Sequence, residues 1–221
     1  MLRPVLWYAT AYSVGILLHE GAHAAAGYAQ GASATLYNFW VDFTATEHQI
    51  AIARFAGPAF SLVVGAIATV WWRRCRNSTA GLPLAFLAAF GLSGFFGNLM
   101  SASFVGDFSG VARELAVPIP ARYVASVIGA IGLATIEFAL GRELHRSAPA
   151  DTSRIAATFG VVIVPVVAGT VLVLLVNYPT PLTGFAAARI GEASFAHLRG
   201  ARSVHGASRD TRCRRVRMAL G

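Results

Sequence analysis

Five stretches of this 221-residue chain, 5–29, 55–72, 84–104, 123–140 and 155–176, are apolar over the length that a bilayer demands of a helix. Hydrocarbon offers no partner to a backbone N–H or C=O, so such segments satisfy their own hydrogen bonds as α-helices. With 56% hydrophobic and only 13% charged residues, the composition suits burial in lipid better than a soluble core. The fold class predicted is an all-α polytopic membrane protein with about five transmembrane helices. The net charge of +8 belongs mainly to the end of the chain, where Arg199, Arg202, Arg209, Arg212, Arg214, Arg215 and Arg217 cluster. A tail so basic and so poor in aromatics reads as a disordered extension held near anionic lipid, and no nucleic-acid partner is expected. Cys75 and Cys213 stand far apart in basic segments, which indicates neither a disulfide framework nor a thiolate metal site.

Within the first apolar run stands His19-Glu20-Gly21-Ala22-His23. Four residues along a helix bring two side chains to one face a turn apart, so His19 and His23 can grip one ion, with Glu20 beside them. Two neutral imidazoles and a third ligand fix Zn²⁺ with one position left for water, and a nearby carboxylate can take the water's proton. For a chain of this composition, about 0.004 chance occurrences of the pattern are expected, and ionisable groups inside a membrane are too costly to persist idly. Counting 1.5 Å per residue from Val5, His19 lies ~21 Å into a hydrocarbon core ~30 Å thick. The site is therefore sunk below the surface at which the first span exits, here termed the site face. A signal-peptide reading of residues 1–26 would discard the motif on cleavage and is set aside.

Along the chain, Gly31-Ala32-Ser33 breaks the first helix, and residues 30–49 then become aromatic and β-branched. Tyr37, Phe39, Val41 and Phe43 alternate with Asn38 and Asp42 as on a strand. This stretch reads either as an amphipathic β-strand or hairpin at the site face, able to pair with an unwound substrate, or as an interfacial loop anchored by aromatics. Trp7, Tyr8, Tyr12, Trp71 and Trp72 are expected in interfacial belts, and Glu137 at an interface as a structural group. The third span carries Gly91, Gly94, Gly97 and Asn98, residues that permit close backbone approach or local unwinding. It runs in the same direction as the first, so Asp107 also comes to the site face. Asp107 either supplies the carboxylate that a two-histidine zinc site lacks or caps a helix starting near Val111; its placement favours the ligand. His48 is the reserve ligand. Arginines of the short loops put the opposite face in the cytoplasm, whereas five spans bring the basic tail out on the site face, so charge alone gives two opposed orientations.

Three pieces in order, His19-Glu20-Gly21-Ala22-His23, Ala56-Gly57-Pro58, and Asn98 followed by Asp107, resemble the site-2 protease family of intramembrane zinc metalloproteases. The resemblance covers roughly the first 115 residues. It implies a three-helix core over 1–115 bearing the metal site; the apolar runs and the charge pattern add two further transmembrane helices over 116–182 and a basic tail over 183–221. It also implies His19, His23 and Asp107 as zinc ligands, Glu20 as catalytic base, and a transmembrane segment of another protein as substrate. Asn98, Tyr37, Phe39 and Trp40 are the expected substrate or transition-state contacts. The location implied is a prokaryotic cell (inner) membrane, with the chain integral and multi-pass. Ser61 stands where the family commonly has Asn, and Asn98-Leu99-Met100-Ser101 and Gly106-Asp107-Phe108 differ from its usual surroundings of the aspartate. The chain thus resembles a divergent member. The alternative is a non-catalytic, protease-like membrane scaffold or substrate-binding protein, for which Glu20 would be dispensable.

Overall fold

The computed structural model describes residues 2–36, 41–44, 46–75, 78, 80–146, 160 and 163–176, with backbone alone for 47, 48, 140, 143–146 and 176. Helices dominate it: α1 (Leu2–Ala29), α2 (Glu47–Cys75), α3 (Gly81–Met100), α4 (Asp107–Glu114), α5 (Ile119–Arg146) and α6 (Val164–Val176), with strands β1 (Ser33–Leu36) and β2 (Val41–Thr44) between the first two. Among the described residues, three helical segments, 49–75, 81–100 and 119–139, are long and apolar enough to cross a membrane. α1 has 28 residues, yet His19, Glu20, His23 and its tyrosines dilute its apolar content, and the 13 residues of α6 are short for a span.

α1 runs unbroken until Gly31, which takes φ +78° and lets Ala32 N–H return to the Gly27 carbonyl at 3.0 Å. That left-handed residue costs glycine nothing and turns the chain into the hairpin. β1 and β2 pair antiparallel, Ser33 with Thr44 through Leu36 with Val41. Val41 and Phe43 face inward while Asp42 and Thr44 face out, the alternation expected of a half-buried strand. The hairpin leans on the end of α1, where a Cβ at Gly27 would fall 2.8 Å from Phe43 Cε1.

α2 starts about two turns earlier than its apolar run, because Gln49 reaches back over its start, its Oε1 accepting the Thr46 N–H at 2.9 Å and the Thr46 hydroxyl at 3.0 Å. Gln49 Nε2 also donates to the Gln30 carbonyl at 2.6 Å, tying the start of α2 to the end of α1. α2 and α3 then cross backbone on backbone: a Cβ at Gly65 would meet Leu92 N at 2.6 Å, and one at Gly91 would meet Gly65 Cα at 2.6 Å. α5 joins α3 in the same way at Gly129, where a Cβ would lie 2.2 Å from Met100 N.

Two aromatic assignments are corrected by the packing. Tyr8 and Tyr12, four apart on one face of α1, are buried against α3, with Tyr8 edge-on to Phe86 and both edge-on to Phe90; only Trp7, on the other side, is exposed. Trp72 likewise enters the core with Ala68, Ala85 and Ala88, leaving Trp71 exposed. The outer face of α5 exposes Tyr123, Val124, Val127, Ile128 and Ile131, an apolar surface that suits hydrocarbon rather than water.

Candidate metal centre

α1 presents His19 and His23 inward, and both rings are buried at 4% exposure, deep enough that each nitrogen needs a partner. His23 Nδ1–H donates to the Ala53 carbonyl at 2.7 Å. A carbonyl can only accept, so Nε2 of the neutral ring carries the lone pair. His19 Nδ1 lies 2.8 Å from Ser61 Oγ, which turns its Nε2 toward the same point. Both outer contacts come from α2, whose backbone approaches the imidazoles closely: a Cβ at Gly57 would sit 2.3 Å from His23 Nε2. Pro58, with no N–H for the Arg54 carbonyl, adds a local interruption of the helix at this level.

The third group arrives from 88 residues away, Asp107 Oδ2 lying 3.1 Å from His19 Nε2 and Oδ1 3.6 Å from His23 Nε2. The glycines of the third span permitted local unwinding on the way to it. Instead α3 stays helical through Gly91, Gly94 and Gly97 to Met100, and the turn over 101–106 folds back to α4. Gly106, at φ +90°, makes the bend: a Cβ there would fall 2.9 Å from Asn98 Oδ1. Asn98 Oδ1 accepts the Asp107 N–H at 3.2 Å, and Asn98 Nδ2 donates to the Gly94 carbonyl at 2.9 Å. The side chain of Asn98 therefore anchors the aspartate to α3. Asp107 opens α4 as its first residue, so the helix begins there rather than near Val111, and the cap position is Gly106. Its carboxylate faces the histidines. Burial acts to raise the Asp107 pKa, but hydrogen bonds with His19 and His23 more than offset it, leaving the group below the ordinary carboxylate range and anionic.

His19 Nε2 and His23 Nε2 stand 3.0 Å apart. Together with the Asp107 carboxylate they form a cluster within 4.8 Å that could hold a metal ion. Tetrahedral coordination at 2.0–2.1 Å gives ligand separations of about 3.3 Å. The two Nε2 atoms at 3.0 Å and the Asp107 Oδ2 at 3.1 Å from His19 lie near that value, with the other carboxylate oxygen 3.6 Å from His23, so the residues could hold a small divalent cation. Their other atoms are held from behind, as metal ligands generally are.

Glu20 is half-buried on α1 beside the cluster, close enough for its charge to act on His23. Tyr37, Phe39 and Trp40 lie outside the described residues, as does the side chain of His48. Glu137 does not reach an interface: it is 2% exposed, with Ser93 Oγ donating to its Oε1 at 2.5 Å across the α3–α5 contact. Ala53 gave no sign of its role in the sequence, and Ser61 was noticed only as a departure from the resemblance, because a carbonyl and a small hydroxyl become supports only when α2 is packed on α1.

Comparison with protein-family models, with curated proteins and with solved structures found no match.

Proposed function

We propose that this chain is a zinc-dependent intramembrane endopeptidase, similar to site-2 proteases, that cleaves a transmembrane segment of another protein. The observation that carries the reading is the convergence of His19 Nε2, His23 Nε2 and the Asp107 carboxylate, with Nδ1 of each ring engaged elsewhere. The same donors could serve non-haem iron, but a carboxylate next to the first histidine, in the order His-Glu-x-x-His, matches hydrolytic zinc. Zinc, when bound, supplies Lewis-acid activation of water and of a peptide carbonyl.

The protein's own groups do the rest. His19, His23 and Asp107 hold the ion; Glu20 takes a proton from the attacking water and delivers it to the leaving amine. A helical substrate hides its peptide bonds, so it must be held extended, and the hairpin of β1 and β2 offers an edge for strand pairing next to α1. In this reading α1 and the segment ending in α6 accompany the three longer apolar helices to make five spans, and the chain is multi-pass in a prokaryotic inner membrane.

The experiment is elemental analysis of detergent-purified protein, followed by cleavage of a reporter membrane segment. About one zinc per chain is expected, lost in His23→Ala and Asp107→Ala, with cleavage falling at least ~100-fold in Glu20→Gln. Iron in place of zinc would overturn the metal assignment. Full cleavage by Glu20→Gln would remove the base, and zinc binding without any cleavage would favour the scaffold alternative.

A further inference from the structure

The third ligand stands on the shortest helix among the described residues, and what holds that helix is a residue so far given no role. α4 has eight residues and packs mainly on α2, with little contact to α3. Its buried side consists of Ser109, Gly110 and Ala112, small residues that let α2 come close. At Gly110 an added Cβ would fall 2.1 Å from Arg54 Nη1 and 2.7 Å from Arg54 Cδ, so the Arg54 side chain lies directly across the glycine. The guanidinium then reaches Glu114 at the far end of α4, Nη1 to Oε1 at 3.7 Å. At the near end, Phe108 packs edge-on between Phe55 and Phe95, with ring centres 5.9 and 5.5 Å away. One stretch of α2 thus touches both halves of the centre: the Ala53 carbonyl holds His23, and the next two side chains hold the helix that carries Asp107.

We propose that Arg54 is a positioning residue of the metal centre. By crossing Gly110 and pairing with Glu114 it seats α4 on α2, and so fixes the Asp107 carboxylate against the histidine pair. This rests on the metal-centre reading above. A half-exposed ion pair at such a distance adds little to global stability, so a role confined to the fold would leave metal affinity nearly unchanged. A role through Asp107 would not.

The test is a zinc titration of the full chain in detergent, against a competing chelator, for wild type, Arg54→Gln, Asp107→Ala and the double variant. Arg54→Gln should weaken zinc binding about tenfold, within the range typical of groups that orient metal ligands. In the Asp107→Ala background the same change should cost nothing further, because Arg54 acts only through that carboxylate. Glu114→Gln should weaken binding in the same direction, and the swap Arg54→Glu with Glu114→Arg should recover part of the loss; these two keep the test open should Arg54→Gln fail to fold. Wild-type affinity in Arg54→Gln, or an equal loss with and without Asp107, would overturn the inference while leaving the metal centre intact. No zinc in the wild-type protein would overturn both.

Discussion

The ring of His23 fills the space that a side chain at position 57 would need. A Cβ on Gly57 would lie 2.3 Å from both Cε1 and Nε2 of that ring, so the glycine is there for the histidine. Gly57→Ala should therefore leave the helices in place while driving the imidazole off its rotamer and its bond to the Ala53 carbonyl. Zinc affinity should fall tenfold or more, about 1.4 kcal/mol at least, with little change in helical circular dichroism. Unchanged affinity would mean that α2 yields instead of the ring. At this scale the sequence was most legible where chemistry is local. The spacing of His19, Glu20 and His23 announces itself on any helix, and Ala56-Gly57-Pro58 stood out by resemblance. Asp107 was reachable through the parity of the spans and through the resemblance. Ser61 drew notice only as a departure from the resemblance, and Arg54 not at all, since nothing in a linear chain marks which hydroxyl or guanidinium will face a site across a helix pair.

Two helices end in the same hydrogen-bonded turn on different residues, and the difference has an energetic consequence. α1 closes on Gly31, while α4 closes on Ala116, whose φ is +50° and whose neighbours make the bonds Val117 N–H to Ala112 carbonyl, 2.8 Å, and Ala116 N–H to Arg113 carbonyl, 3.0 Å. A Cβ in the left-handed region costs about 1–2 kcal/mol, of which part is recovered because alanine has less freedom than glycine in the unfolded chain. Ala116→Gly should stabilise the protein by roughly 0.5–1 kcal/mol, read as a higher unfolding midpoint in detergent. A lower midpoint would show that the methyl makes a contact worth more than the strain. The glycine stop of α1 was visible in the sequence, as was the alternation that became β2. The start of α2 was written in Thr46-x-x-Gln49, but the apolar run drew the expected boundary inward to Phe55. The straightness of α3 was not legible: Gly91, Gly94 and Gly97 permit both unwinding and close packing, and only the facing backbone at Gly65 decides for packing.

Across the described residues, the centre joins three helices through side chains far apart in the sequence. His19 and His23 belong to α1, their outer partners Ser61 and Ala53 to α2, and Asp107 to α4 beyond the end of α3. An ion held by the first and last of these closes the long loop from residue 23 to residue 107, and no such site exists once the helices separate. Binding to the folded state alone stabilises it by RT ln(1 + [L]/Kd), about 2.7 kcal/mol at a hundredfold excess over Kd. Zinc should accordingly raise the unfolding midpoint of the wild-type chain in detergent by roughly 5–10 °C, and chelator should reverse the rise. In His23→Ala the midpoint should not respond to zinc at all, although the variant still contains α1 and its neighbours. The comparison separates a cross-helix centre from adventitious binding elsewhere: the same zinc-dependent rise in both proteins would place the ion away from His23, with His48 the first residue to replace. A rise in wild type that vanishes in His23→Ala and in Asp107→Ala alike requires one ion to bridge α1 and α4, because no local site on either helix loses its metal when the other is changed.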